Sequence, residues 1–481
     1  MERRAKIVAT LGPASSEPRM VARLLSAGVD VVRLNLSHGD QEGHRRALET
    51  VRREARRLGR HVPVLADLMG PRYRLGKIAD GPRLLKRGER VTLGAGKGSF
   101  DLPVDDRALV AHLQPGERVL IDNGLIELEV EAKRAGKVTA RVITPGKVST
   151  RKGINLPDTE LPFKISAKDR SDVAFAVAEG VDYIAASYVA SAADLKALRR
   201  LAASHGHAPP LVAKIERKAA VERLGEIVLE ADAVMVARGD LGVEVPLDQV
   251  PVLQKRIVAA SRLTGTPVIV ATQMLESMID HPRPTRAEAT DVANAVLEGA
   301  DALMLSGETA AGRYPLEAVR TMVRVMERAE AYRRDFPETV ELDDSHDLRS
   351  AGRDIDPHLE MARVICEAGA RAADELGVAM IVAFSQGGFT ARAIARYRSK
   401  APIRVFTTDE AVARQVQLVW GVRPVLMGSE VERLHQVVGV VDRHLRSAKL
   451  VAPGDTVVLL MGYPIPERPL TNLMRIHRFD R

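Results

Sequence analysis

Eight short apolar runs punctuate the chain, at residues 7–11, 29–36, 62–68, 183–187, 211–216, 233–237, 268–272 and 302–306. They are rich in Val, Ile and Ala, and read as strands buried on both faces. Most are followed by roughly 20–30 residues with apolar positions at helical spacing. Leu316, Val319, Met322, Val323 and Met326 after the eighth run are an example. Strand–helix alternation repeated eight times predicts an α/β fold of the (β/α)8 TIM-barrel type, with functional groups at the C-terminal ends of the strands. Polar residues gather at those ends: Arg33, Asn35, Asp67, Lys214, Glu216, Asp240, Thr272, Ser306 and Glu308.

One connection breaks the rhythm. More than a hundred residues separate the third run from the fourth, where a helical unit needs about thirty. Alternating stretches at 88–93, 116–121 and 125–130, bounded by turn residues, read as strands. The segment is expected to be a small β domain at residues 71–162, inserted at the active-site face and placed to act as a water-excluding lid. The barrel then comprises 1–70 and 163–335. Residues 336–356 are acidic and without periodicity, as a linker would be, and a second α/β unit is expected over 357–481. Within it a helix at 359–376 and a strand at 380–384 lead to Ser385-Gln-Gly-Gly-Phe-Thr390, which opens another helix. Ser385, Gly387, Gly388 and Thr390 could offer N–H and hydroxyl groups to an anion there. The alternative is a plain turn with Thr390 as N-cap.

Composition narrows the class. Apolar residues make up 46% and charged residues 28% of 481 residues, an ordinary globular balance. No run approaches the roughly 20 apolar residues of a membrane span, and the N-terminus does not resemble a signal peptide, so a cytoplasmic protein is expected. The lone cysteine, Cys366, excludes an internal disulfide and lies in a helical pattern, where it reads as a small buried hydrophobe. The net charge of +8 favours anionic ligands. With only 3% aromatics and arginines spread over helix faces, as in Arg45-Arg46 and Arg52-Arg53, nucleic acid is not the expected partner.

Two strand ends carry the strongest chemistry. Val212-Ala-Lys-Ile-Glu216 puts Lys214 and Glu216 two residues apart, hence on one side of a strand. Val234-Met-Val-Ala-Arg-Gly-Asp-Leu241 closes the next strand with Asp240. A lysine and two carboxylates converging at adjacent parallel strands suit a divalent cation and a phosphorylated substrate. Each residue also has a purely structural reading: Lys214–Glu216 as a barrel-mouth ion pair, Thr272 as an N-cap, Ser306 as a cap for the turn at Gly307.

Longer segments carry a resemblance. Ala5-Lys-Ile-Val-Ala-Thr-Leu-Gly-Pro-Ala-Ser15, Val32-Arg-Leu-Asn-Leu-Ser-His-Gly39, Ala271-Thr-Gln-Met-Leu-Glu-Ser277, Pro284-Thr-Arg-Ala-Glu288, Asp291-Val-Ala-Asn-Ala-Val296 and Met304-Leu-Ser-Gly-Glu-Thr309 resemble signature segments of the pyruvate kinase family, in order along the chain. The resemblance implies phosphoryl transfer from phosphoenolpyruvate to ADP, giving pyruvate and ATP in glycolysis. It implies Mg2+ or Mn2+ on Glu216 and Asp240, and Lys214 meeting the moving phosphoryl group. It also implies Arg33 on the transferring phosphate, and Arg74 and Lys168 reaching the nucleotide phosphates from the lid side. Gly239 and Asp240 would offer N–H groups to the substrate carboxylate beside the Thr272 hydroxyl. Thr272 and Ser306 would relay a proton, and His38 and Pro13 would border the adenine. A homotetramer and a phosphorylated allosteric effector at Ser385–Thr390 are implied as well.

Departures matter as much. Many members hold K+ with residues corresponding to Asn35, Ser37 and Asp67, and continue Asp-Thr-Lys-Gly-Pro-Glu-Ile-Arg. This chain reads Asp67-Leu-Met-Gly-Pro-Arg-Tyr-Arg74. Leu68 replaces the threonine and Arg72 the glutamate; a fixed guanidinium could stand in for the ion, so K+-independent activity is expected. Arg217-Lys-Ala-Ala220 replaces Asn-x-x-Gly, and Ser187-Tyr-Val-Ala190 replaces Ser-Phe-x-Arg. Two alternatives stand beside this reading: a metal-dependent barrel lyase acting on phosphoenolpyruvate or pyruvate, and a catalytically weak regulatory paralogue.

Overall fold

A computed structural model describes residues 3–335, 357–428, 434–464 and 470–480, apart from 80, 97 and 135. Eight parallel strands close a barrel in sequence order: Lys6–Leu11, Val31–Asn35, Val64–Asp67, Tyr183–Ala186, Leu211–Ile215, Ala233–Ala237, Val268–Ala271 and Ala302–Leu305, the last pairing with the first. Seven expected runs contain their strands, and the first strand starts one residue before its run, at Lys6. The runs are legible because nearly every strand residue is buried, between a filled interior and the surrounding helices. Val8, Leu65, Tyr183, Val212, Met235 and Ile269 fill that interior. The helix after the eighth strand, Pro315–Asp335, buries Leu316, Val319, Met322 and Met326.

Between the third and fourth strands a seven-stranded sheet carries its own core, including Leu75, Leu93, Val119, Ile121 and Leu128. Its edge strands, Tyr73–Arg74 and Leu102–Pro103, meet through an antiparallel bridge of Leu75 and Val104, so the sheet closes on itself as a small barrel. The C-terminal unit is a five-stranded sheet. Val422–Leu426, Ile403–Thr407, Met380–Phe384 and Thr456–Met461 are parallel, and Leu473–Arg478 is antiparallel at the edge. The expected linker at 336–356 lies outside the described residues.

The C-terminal unit seals the barrel at the N-terminal ends of the strands. Leu418 enters the interior cluster, and the Tyr183 hydroxyl donates to the Gln415 carbonyl at 2.9 Å. Around this plug stand buried aspartates that precede strands. Asp30 accepts from Ile7 N–H and is flanked by Arg3, Arg60 and Arg423. Asp182 accepts from Val64 N–H and pairs with Arg52 and Arg414. Asp301 accepts from Val268 N–H and pairs with Arg398. Arg398, Arg414 and Arg423 all come from the C-terminal unit. Cys366 is buried in that unit, and burial pushes its thiol up to about 12, so it packs as a hydrophobe.

Candidate active site

The opposite end of the barrel gathers the residues expected to do chemistry. Lys214 Nζ lies 3.2 Å from Asp67 Oδ1 and 3.3 Å from Glu216 Oε2, and donates to Ser187 Oγ at 2.6 Å. The Ser187 hydroxyl in turn donates a hydrogen bond to the Leu68 carbonyl at 2.8 Å. Burial alone would weaken the Lys214 charge, but Asp67, Glu216 and Asp240 outweigh it and raise the ammonium's pKa. Burial likewise opposes ionisation of Asp67, and Lys214 and Arg33 more than compensate, holding that carboxyl below its usual range.

Glu216 is the exception. Burial, reinforced by Asp240, lifts its carboxyl to about 7 despite Lys214. One oxygen accepts from Tyr188 N–H at 2.6 Å; the other, Oε2, is buried without a hydrogen bond, as is Asp67 Oδ1. Asp240, on the short helix Arg238–Glu244, makes no hydrogen bond or ion pair among the described residues. Among those residues no group of three or more His, Cys, Asp or Glu side chains is arranged to hold a metal ion. Two facing carboxylates with unused lone pairs are therefore the set that could take a hard divalent cation, one that keeps most of its oxygens from substrate and water.

Arg33 is held by Asp67, with Nε and NH2 both 2.7 Å from Oδ2, and donates to Thr10 Oγ1 at 3.0 Å. Thr272 stands at φ +68°, outside the range a β-branched residue ordinarily adopts, and neither caps a helix nor lies in a strand. Its hydroxyl donates to the Ala271 carbonyl and accepts from Gly239 N–H at 2.8 Å. The Gly239 N–H expected to greet a carboxylate is thus engaged by Thr272. Arg238 steadies this turn, donating to the Ala271 and Thr272 carbonyls and pairing with Asp291 at 2.7 Å. Ser306 precedes the helix Gly307–Ala310 but caps nothing, and its Oγ is buried without a partner. Its N–H is held by Glu308, which also accepts from Leu275 N–H and so ties the seventh and eighth loops.

The other expected residues spread around this centre. Asn35 Oδ1 accepts from Ser37 N–H, Leu68 is buried, and His38 and Pro13 are exposed on the loops after the second and first strands. Arg74 lies on an edge strand of the insert and donates to the Arg151 carbonyl. Lys168 belongs to the barrel helix Ala167–Ala178, which follows the return from the insert; its ammonium donates to the Leu36 carbonyl and pairs with Asp172. Arg72 is exposed and has no hydrogen bond or ion pair among the described residues, yet its charge reaches Tyr188 beside Glu216. In the C-terminal unit the helix after the Gly-rich turn begins at Phe389 with Gly388 as its cap, at φ +76°. Thr390 is not the N-cap. It lies buried in the first turn, and its Oγ1 accepts from the Thr471 hydroxyl at 2.9 Å. A position needing positive φ suits glycine, which is why the cap falls two residues earlier than a threonine cap would. Sequence reasoning gave no role to Ser187, Tyr188, Arg238 or Thr10; only the polar residues beside strand ends marked them.

Known proteins resemble this chain along nearly its whole length. Family models described as "Pyruvate kinase, barrel domain" and "Pyruvate kinase, alpha/beta domain" match residues 2–319 and 363–477. A pyruvate kinase of Mycobacterium tuberculosis is 42% identical over 482 residues, covering 99% of both chains. One of Geobacillus stearothermophilus is 41% identical, covering 99% of this chain and 80% of its own. The crystal structure of a pyruvate kinase from Cryptosporidium parvum superposes with a TM-score of 0.87 at 32% identity, covering 99% of this chain and 96% of the other.

Proposed function

This chain belongs to the pyruvate kinase family, and from that premise we propose that it transfers a phosphoryl group from phosphoenolpyruvate to ADP. The observation that carries the reading is Lys214 gathered with Asp67 and Glu216 within 3.3 Å, with Asp240 unpaired beside them. Phosphoryl transfer needs positioning and compensation of spread-out negative charge. Glu216 and Asp240 would hold Mg2+ or Mn2+, which when bound supplies positive charge to the phosphoryl and enolate oxygens. Lys214, kept protonated by its carboxylates, faces the charge that builds on the leaving enolate. Arg33, fixed by Asp67 and Thr10, presents a guanidinium of set orientation to the phosphoryl group. Thr272 and Ser306 place two hydroxyls at adjacent strand ends, where they can relay a proton to the enolate carbon. Arg74, Lys168, His38 and Pro13 are assigned to the nucleotide.

Arg72 is assigned the place of a monovalent cation, beside Asn35, Ser37, Asp67 and Leu68, so that K+ is not required; the reach of its charge to Tyr188 supports this. A homotetramer fits the exposed apolar residues Leu359, Met361 and Val364 on the helix Pro357–Leu376, and sedimentation would read the state directly. A phosphorylated effector at Ser385, Gly387, Gly388 and Thr390 belongs to the same reading. So does a cytoplasmic location; among the described residues no helix is long and apolar enough to cross a membrane. The test is a lactate-dehydrogenase-coupled assay with phosphoenolpyruvate, ADP and Mg2+. ADP-dependent pyruvate formation is expected, whereas pyruvate formed without ADP, or none, would contradict the reading.

A further inference from the structure

Tyr188 follows the fourth barrel strand at φ +60°. A side chain is held in that region only where the surroundings over-determine it. Two contacts do so. The Tyr188 N–H donates to Glu216 Oε1 at 2.6 Å. The ring lies against Gly70, where an added Cβ would come within 2.9 Å of Tyr188 Cδ2. Gly70 is on the outgoing crossing from barrel to insert, and its N–H is held at 3.0 Å by Asp169. Asp169 closes the capping box of the first barrel helix after the return crossing. Tyr188 also borders a small open cleft between insert and barrel, of ≈20 Å³. Pro71 on the outgoing crossing and Leu161, Pro162 and Phe163 on the return line it, with Arg217 on the barrel floor.

The ring therefore stands between the two chain crossings about which the insert can turn, while the same residue's N–H holds a carboxylate of the site. We propose that Tyr188 is a positioning residue through which closure of the inserted domain sets the orientation of the Glu216 carboxylate. This rests on the phosphotransfer reading above. A rotation of the insert must push on the ring or be stopped by it, and the short Tyr188–Glu216 hydrogen bond carries that displacement to the carboxylate. The ring's bulk, rather than its hydroxyl, is the working part.

The test compares Tyr188→Phe, Tyr188→Leu and Tyr188→Ala in the full-length enzyme. Tyr188→Phe should keep kcat within about twofold, while Tyr188→Ala should lose about tenfold or more, with Tyr188→Leu between them. The Mn2+ midpoint of the substrate-free enzyme, read by thermal shift, should move less than about twofold in all three because the N–H remains. Adding Mn2+ and phosphoenolpyruvate should slow amide exchange in residues 69–75 and 158–165 of the wild type and of Tyr188→Phe, but not of Tyr188→Ala or Tyr188→Leu. A mere folding defect would lower the melting temperature and active fraction yet leave that protection in the folded molecules. Wild-type kcat in both Tyr188→Leu and Tyr188→Ala would overturn the proposal, as would undiminished protection of the crossings in either; Tyr188→Leu serves where Tyr188→Ala fails to fold. Absence of turnover in the wild type would instead remove the phosphotransfer reading, and this proposal with it, before any variant is compared.

Discussion

At the N-terminal ends of the barrel strands, Asp30, Asp182 and Asp301 each accept a neighbouring strand's N–H and pair with an arginine of the C-terminal unit. At the C-terminal ends, Glu216 Oε2 and Asp67 Oδ1 are buried with no hydrogen bond, and Asp240 has no partner among the described residues. Both sets are carboxylates next to parallel strands, and Glu216 and Asp67 are as buried as Asp30; satisfaction differs. Cations hold Asp30 well below the usual carboxylate range, whereas burial and Asp240 push Glu216 up to about 7. A fold that satisfies every lone pair at one end could have done so at the other. The mouth keeps Glu216 and Asp240 poorly satisfied, as a site completed by a ligand would.

The largest expected effect separates the ends by function. Glu216→Gln and Asp240→Asn should each lower kcat/KM in the coupled assay by about a thousandfold or more. Glu216→Gln should not lower the melting temperature of the metal-free enzyme at pH 8, because it removes a buried charge worth on the order of 3 kcal/mol of destabilisation. Asp30→Asn should do the reverse. Stranding Arg3, Arg60 and Arg423 should cost about 3–5 kcal/mol, read as faster thermal inactivation, with kcat per folded molecule within about twofold. An Asp30→Asn enzyme of wild-type stability would break the comparison.

Acidity should sharpen it. Asp30 is depressed, so its stabilising contribution is present above the ordinary aspartate range and lost as pH falls through that range and below. Glu216 is raised, so its contribution is present at low pH and lost as pH rises from the usual glutamate value of 4.5 towards about 7. Metal needs the ionised form, so the Mn2+ midpoint measured by thermal shift should tighten between pH 6 and pH 8. A pH-independent midpoint would contradict the shifted Glu216.

Much of this contrast could not be seen along the chain. The eight strands and the helix Pro315–Asp335 were legible because a strand buried on both faces is an unbroken apolar run and a buried helix face repeats at fixed spacing. Lys214 and Glu216 were legible because a spacing of two is local. The bottom pairs join residues as distant as Asp30 and Arg423, and no periodicity reports a contact of that reach. Thr272 and Tyr188 were recognisable as polar or aromatic residues after strands, but their positive φ comes from tertiary contacts. Thr390 misled for a related reason: threonine is a good cap in isolation, and here Gly388 supplies the left-handed turn first.

The smallest expected effect concerns Arg72, at the edge of the mouth. Replacing KCl by tetramethylammonium chloride should change wild-type turnover by less than about twofold, while Arg72→Glu should make turnover depend on KCl. A strong KCl requirement in the wild type would remove Arg72 from the site.

The contrast lies between a Glu216 left poorly satisfied within the chain and a fully paired Asp30. Thermal melting of the wild type, Glu216→Gln and Asp30→Asn with and without saturating Mn2+ reads it directly. Mn2+ should raise the melting temperature of the wild type and of Asp30→Asn by similar amounts, and that of Glu216→Gln scarcely at all. A Glu216→Gln enzyme stabilised by Mn2+ as strongly as the wild type would contradict the account.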